Sequence, residues 1–404
     1  MKFEHAYIPY GAYWSSPFAR WQGSLSHLHS LEFCAWLTRR TLAAKGIDTA
    51  LIDFGVLGTT VPQRGAFYGL PWVAALAGMP SLAGPTVSQA CATSVRCVAL
   101  AAQELAAGGS ACGLVLAADR VSNGPQLYYP DPRGVGGTGE HESWVTGSFE
   151  RDPWTSKSML STAEAVAARF GISLEEQHEL VLHRYEQYAA ALADDRAFHR
   201  RFMQLPFEVP DARFRKSAAT LSGDEGIHAT TREGLARLKP VMPDGTVSYG
   251  AQTHPADGNA GMLVATRERA LQLSARPEVQ IEILATGQAR AEAMQMPYAP
   301  VPAARQAMER AGLRFEDLHA VTTHNPFAVN DIVLARETGL PVLGMNRFGC
   351  SLVWGHPQAP TGLRAIIELI ETLEMRGGGL GLFTGCAAGD TAMALVLRVG
   401  DAAS

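Results

Sequence analysis

Two cysteines and two histidines sit where tight turns meet regular elements. Cys91 lies in Val-Ser-Gln-Ala-Cys-Ala-Thr-Ser, residues 87–94, where a strand-forming run turns sharply into a helical pattern. A thiol at a helix N-terminus faces the positive end of the macrodipole and free N–H groups, which favour the thiolate a nucleophile needs. The small Ala and Ser neighbours leave room for a substrate. His356 stands between Gly355 and Pro357, in a turn that can hold its ring rigidly. An imidazole beside a thiol is the usual activator of a cysteine nucleophile. Cys386 lies in Thr-Gly-Cys-Ala-Ala-Gly-Asp, residues 384–390. Its short neighbours let backbone N–H groups approach a ligand, which suits an oxyanion hole, and the thiol could exchange protons with a substrate carbon. His324 opens His-Asn-Pro-Phe, residues 324–327, directly after a strand-like run. Taken singly, each has a bland reading as a small core cysteine or a turn histidine. Cys34, Cys97 and Cys112 take that bland reading, and Cys350 fits either.

Alternating strands and helices must position these groups. Strand patterns cover residues 3–8, 51–57, 85–90 and 113–117, and helical ones 27–44 and 93–107, both helices stopping at glycine. After Asp119 come loops rich in Gly, Pro and aromatics, then helices over 161–170 and 174–192 and a basic loop holding Arg213, Arg215 and Lys216. This reads as an insertion reaching about residue 250. Strands over 279–285 and 318–323, helices over 303–311 and 361–375, and a hairpin of 379–385 with 392–399 then repeat the first pattern. Each half delivers a cysteine at a strand end, so a duplicated α/β fold is expected. Residues 65–95 carry no charge, but Pro71, Pro80 and Pro85 interrupt them. They read as a buried core segment and not as a membrane helix.

The composition fits a folded chain with a sizeable core: 404 residues, 47% apolar, 18% charged, net charge −5. The interspersed charges argue against a nucleic-acid surface and leave room for a small basic pocket that grips an anion. Six scattered cysteines without a C-x-x-C pair, and no signal peptide in residues 1–18, read as reduced thiols of a cytoplasmic protein. No metal site and no membrane contact are expected.

Together, and in this order, these motifs resemble the thiolase family over nearly the whole chain. Residues 16–25 resemble its opening loop, 159–167 (Met-Leu-Ser-Thr-Ala-Glu-Ala-Val-Ala) its Met-Gly-x-Thr-Ala-Glu helix start, and 224–240 the stretch leading into its coenzyme-binding turn. The resemblance implies a duplicated five-layered α-β-α-β-α fold: residues 1–119 with 250–268 as the N-terminal half, 120–249 as a loop domain holding coenzyme A, and 269–404 as the C-terminal half. It implies acylation of Cys91 by a thioester, with His356 taking the thiol proton. Cys386 would move a proton to or from the acetyl-CoA methyl. The N–H groups of Cys91 and Ala388 would bind the tetrahedral oxyanion, and His324 with His356 the enolate. Coenzyme A enters as co-substrate with no permanently bound cofactor. The assembly is a homodimer or dimer of dimers, with an accessory subunit as a further possible partner.

The departures from the family gather around the substrate. The common Asn-Glu-Ala-Phe is His324-Asn-Pro-Phe327, a His start similar to the sterol-carrier type of thiolase. The coenzyme turn reads Ala-Gln-Thr253-His254-Pro-Ala-Asp-Gly, with His254 in place of a glycine and Thr253 keeping a hydroxyl for pantetheine. His228 stands where an Arg for the nucleotide phosphate is frequent, and Arg213, Arg215 and Lys216 are expected to compensate. Ser158 replaces a His, and Tyr298 a Met near the acyl pocket. With Met159 and Phe327 also at the site, these changes point to a bulky, branched or aromatic acyl group, walled by Trp144, Trp154 and Tyr298. Two alternatives stay open: a condensing enzyme of the ketoacyl-synthase type, against which Cys386 counts, and a thiolase-like subunit active only with a partner.

Overall fold

The computed structural model describes residues 1–400, and the expected C-terminal half therefore ends in four residues, 401–404, outside the described ones. Two sheets carry the fold. The first runs in the order Tyr13–Ser15, Ala256–Ala265, Cys112–Arg120, Phe54–Gly58, Thr86–Val87, with Ala19–Arg20 also on Ala256–Ala265. The second runs Ile281–Arg290, Thr391–Val399, Gly379–Ala387, Ala320–His324. In each, the first two pairings are antiparallel and the third parallel. The expected duplication is therefore present in the strand order itself.

Between the sheets lie two helices, Thr93–Ala106 and Ala359–Met375, packed on each other and on strands of both sheets. Ala359–Met375 is buried along nearly its whole length, as a helix with apolar neighbours on all sides must be. Gly362 permits the close crossing, because a Cβ there would lie 2.7 Å from Ser94 Oγ. Ser30–Ala44 with Gly69–Leu76 covers the outer face of the first sheet, and Pro300–Ala311, backed by Ala328–Thr338, that of the second. Helix, sheet, helix, sheet, helix gives the five layers expected.

Three readings are corrected. Residues 3–8 form no strand: Tyr7 makes isolated bridges to both sheets, at Ala265 and Glu282, and Lys2 just before the segment bridges Ala285. The segment stitches the two sheets together and belongs to neither. Cys91 and Cys386 are not equivalent positions of the repeat. Cys91 precedes a central helix, whereas Cys386 lies on the strand Gly379–Ala387. Residues 65–95 are not all core either. Phe67 is 96% and Tyr68 71% exposed, and Thr86–Val87 is an open sheet edge.

The chain between the neighbouring strands Cys112–Arg120 and Ala256–Ala265 leaves the sheet and forms two hairpins and a set of helices, including Met159–Phe170 and Leu174–Ala191. A buried ion pair ties this region to the centre. Arg364 reaches Asp224 at 2.5 Å and Glu368 at 2.9 Å, with both Arg364 and Asp224 fully shielded. Tyr188 O–H and Phe18 N–H also donate to Asp224. Removing one partner of such a pair typically costs about 3–5 kcal/mol, because the other charge is left buried and alone.

Candidate active site

Cys91 sits on a backbone elbow. Ala90 adopts φ +45°, a left-handed conformation that costs a non-glycine residue roughly 1–2 kcal/mol. Thr93 staples it: its hydroxyl accepts from Gln89 N–H at 2.8 Å and donates to Ala90 C=O at 2.6 Å. The first helical residue is Thr93, so Cys91 lies just outside the helix end. The thiol is not lowered as expected. Burial pushes it up to about 12, outweighing the Ala388 and Cys91 backbone N–H groups that point at the sulfur and pull the other way.

The imidazole of His356 completes a neutral pair. Its Nε2 lies 3.1 Å from Cys91 Sγ, and its Nδ1 2.6 Å from Thr361 Oγ1 one helical turn on. Burial, then the neighbouring His324, hold its pKa well below 6.5. Gln358, held at φ +64°, brings Oε1 to 3.4 Å from the same sulfur. The backbone just after it is fixed by Asp119, whose carboxylate accepts from Ala359 N–H at 2.9 Å and from Thr59, Thr60 and Val61. One buried carboxylate thus joins the first sheet to the start of the central helix that carries the histidine turn.

Cys386 is buried, and Asn330 Nδ2 lies 3.3 Å from its sulfur. Burial first and Cys91 second push its thiol well above the ordinary range. His324 stacks on His356, ring centroids 4.1 Å apart. Its Nδ1 meets Ser351 Oγ at 3.1 Å, and its Nε2 has no protein partner. Burial lowers its pKa to about 3, so the ring is neutral. Cys91, His324 and His356 each bring a ligand-type atom within 4.8 Å of the other two. A soft divalent ion can take that donor set, and doing so would block the thiol.

These groups open onto a cavity of about 1170 Å³. Cys91, His356, Cys386, Ala388, Met159, His228, Thr253, His254 and Phe327 all line it, with His324 behind His356. The Thr253 hydroxyl already donates to Ser351 C=O at 2.5 Å. Arg213, Arg215 and Lys216 do not line the cavity. They are exposed at the tip of the hairpin Phe207–Pro210/Ser217–Leu221, where the Asp211 carboxylate folds the turn by accepting the Arg215 N–H at 2.8 Å. The basic cluster is a solvated turn. Tyr298 is also elsewhere, stacked on Phe170 at 5.8 Å beneath Arg169, and Trp154 is 78% exposed and off the wall. Trp144 does line it. Arg20 lines the cavity too, in place of the loop arginines.

Gln358, Asn330, Thr361, Ser351, Asp119 and Arg20 were not legible as site residues. Gln358 alone had a signal, since it follows the Gly-His-Pro turn directly.

Among the described residues no helix is long and apolar enough to cross a membrane. Residues 13–268 match the thiolase N-terminal domain, and residues 277–399 the thiolase C-terminal domain. The chain is 27% identical over 388 residues to a 3-ketoacyl-CoA thiolase of Bacillus subtilis, covering 94% of this chain and 95% of that one. It is 30% identical over 422 residues to a 3-ketoacyl-CoA thiolase of Pectobacterium carotovorum, covering 95% and 94%. The fold is similar to that of human mitochondrial 3-ketoacyl-CoA thiolase in complex with CoA, with a TM-score of 0.87 at 23% identity and 98% of each chain covered. The chain belongs to the thiolase family of acyltransferases.

Proposed function

We propose that this protein cleaves a 3-oxoacyl-CoA with coenzyme A and, in reverse, joins two acyl-CoA thioesters by Claisen condensation. The observation that carries the reading is the Cys91–His356 pair at 3.1 Å, with Cys386 and the Ala388 N–H opening on the same cavity. Cys91 S–H attacks the thioester carbonyl as His356 Nε2 takes its proton. The oxyanion lies against the Cys91 and Ala388 N–H groups. The departing coenzyme A thiolate takes the proton of Cys386, leaving a Cys386 thiolate beside a protonated His356. Cys386 then removes a proton from the acetyl-CoA methyl, and the enolate attacks the acyl group on Cys91. His356 returns its proton to the released sulfur, and the enzyme is regenerated.

The halves divide as residues 1–119 with 250–268 and residues 269–404, with 120–249 holding coenzyme A as co-substrate. Val61, Val145, Trp144 and Phe149 form an apolar cluster along the cavity, which favours a bulky acyl group. The decisive experiment offers the purified chain alone a panel of 3-oxoacyl-CoAs and weighs the covalent adduct by mass spectrometry. A bulky acyl group is expected on the peptide holding Cys91. A chain silent until a second protein is added would instead support the accessory-subunit reading.

Two further expectations attach to this reading. Arg20 and His228 are basic side chains that line the cavity, and Arg20 is held only loosely by Glu225 at 3.9 Å. Arg20→Ala should raise KM for coenzyme A about five- to tenfold with kcat nearly unchanged, the signature of lost uniform binding. Steady-state titration of coenzyme A checks this. The open edge Thr86–Val87 lies on the same uncharged stretch as exposed Phe67, Tyr68 and Leu76. An edge flanked by exposed aromatics is covered most simply by a second copy. Light scattering should give at least twice the chain mass of 43.2 kDa, and a compact monomer would contradict the homodimer.

A further inference from the structure

His324 is bonded to the protein through one nitrogen only, and the proton on that nitrogen can be traced through a chain of buried groups. The chain starts at Asp331, whose carboxylate pairs with Arg184 at 2.8 Å, both side chains fully buried. Asp331 Oδ2 receives Asn325 Nδ2 at 2.7 Å. A carboxylate only accepts, so the Asn325 amide nitrogen must face it and the amide oxygen must face the other way. That oxygen lies 3.1 Å from Ser351 Oγ. Two acceptors do not bond, so the single hydroxyl proton of Ser351 is committed to Asn325 Oδ1. Ser351 Oγ also accepts the Asn325 backbone N–H at 3.2 Å. It has no proton left for His324, whose Nδ1 lies 3.1 Å away. Nδ1 must therefore be the donor. The ring is neutral, and its one N–H is accounted for.

We infer that Asn325 and Ser351 are positioning residues that lock His324 as its Nδ1–H tautomer, so that His324 presents a bare Nε2 acceptor at the reaction centre and serves the enolate through a bridging water. The inference rests on the thiolase reading for the identity of the enolate, but not for the tautomer. It changes how His324 would serve the enolate, from a direct contact to one through water. An enolate oxygen and a bare Nε2 are both acceptors and repel at contact. A water solves this by giving one hydrogen to Nε2 and the other to the oxygen. His356, protonated after the acylation step, supplies the second donor.

Which nitrogen of a histidine is protonated is normally set by the partner of the other one. Here that partner is two residues deep, and neither Ser351 nor Asn325 is expected to touch substrate. The arrangement also separates the two stacked rings by role. His356 has its Nδ1 against Thr361 and cycles a proton at Nε2 with Cys91, while His324 keeps its proton on the far side from the chemistry.

The test uses the full-length protein carrying nitrogen-15 histidine, with the ring signals read by long-range proton–nitrogen correlation and His324 assigned by its disappearance in His324→Asn. Wild type should show Nδ1 protonated and Nε2 bare. Ser351→Ala should move His324 toward the Nε2–H form and slow deuterium exchange at the acetyl-CoA methyl several-fold more than acylation of Cys91. Ser351→Thr, which keeps a hydroxyl, should restore the Nδ1–H pattern. An Nε2-protonated ring in wild type, or an Nδ1–H ring that persists in folded Ser351→Ala, would overturn the inference. The nuclear magnetic resonance readout needs no turnover, so a protein that fails every acyl-CoA assay yet shows the Nδ1–H ring would sink the thiolase reading and leave the tautomer standing.

Discussion

Cys91→Ala is expected to abolish acyl-enzyme formation, with turnover falling on the order of ten-thousand-fold or more, as when an activated nucleophile is removed. No other thiol can take its place: Cys34, Cys97, Cys112, Cys350 and Cys386 are all buried, and only Cys91 is part-exposed on the cavity. Ordinary thiol acidity does not single it out, because burial pushes Cys34, Cys97, Cys112 and Cys350 up to about 12 as well. Access and the His356 base at 3.1 Å do. Limiting iodoacetamide followed by peptide mapping should label Cys91 first, and coenzyme A should protect it. The pH dependence follows from the same neutral pair. His356 is held well below 6.5, so it stays an unprotonated base as pH falls through 6.5, and the acylation rate should show no acid limb there. Stopped-flow acylation between pH 5 and 8 reads this directly. A limb centred near 6.5 would mean that the ring is hydrated and the pair is not the buried one described.

The candidate catalytic groups were readable because the chemistry proposed for them demands unusual local sequence. A nucleophile on a left-handed elbow needs small neighbours, and Ala90 and Ala92 supply them around Cys91. A fixed imidazole wants a Gly-His-Pro turn. The groups that hold these in place leave no such trace. Asp119 is one residue of a buried strand, and nothing near it in sequence says that its carboxylate will cap Ala359, 240 positions on. Asn330 reaches Cys386 from the first turn of Ala328–Thr338, a helix whose mixed polar and apolar residues do not mark which side chain will meet the thiol. The strand Ala256–Ala265 was missed altogether, although it is paired on both sides in the first sheet. Buried along its length and rich in Ala and Gly, it shows neither alternation nor a branched run. Its glycines are there for packing: a Cβ on Gly261 would sit 2.2 Å from the Trp14 ring. The basic loop at 213–216 misled for the opposite reason. Clustered charge is the cheapest signal to read, and on a hairpin tip it is also the commonest solvated feature.

Cys386→Ala should separate the two half-reactions. With its thiol well above the usual range, Cys386 is protonated in the free enzyme; the positive charge that acylation would leave on His356 stabilises its thiolate, and only then can the departing coenzyme A thiolate take its proton. On the proposed reading the proton leaves Cys386 only after Cys91 has been acylated, and the thiolate so formed is the base that takes the methyl proton. Acylation of Cys91 in the variant should stay within a few-fold of wild type, because the nucleophile, His356 and both N–H groups are untouched and a coenzyme A thiolate can leave before it is protonated. Deuterium exchange at the acetyl-CoA methyl should fall by about a hundred- to ten-thousand-fold, the usual worth of a positioned acid–base group. Asn330→Ala gives an intermediate. Its Nδ2 at 3.3 Å is the side-chain donor to the sulfur, and a hydrogen bond to a charged group contributes about 1.5–3 kcal/mol. Exchange should therefore drop roughly ten- to a hundredfold, again with acylation nearly intact. Rapid-quench measurement of the acyl adduct beside mass-resolved exchange decides the matter. Equal slowing of both in Cys386→Ala would mean a collapsed cavity, and undiminished exchange would mean that another group moves the methyl proton. Only the selective loss fits a thiol that is inert in the free enzyme and becomes a base because the first half-reaction has taken its proton.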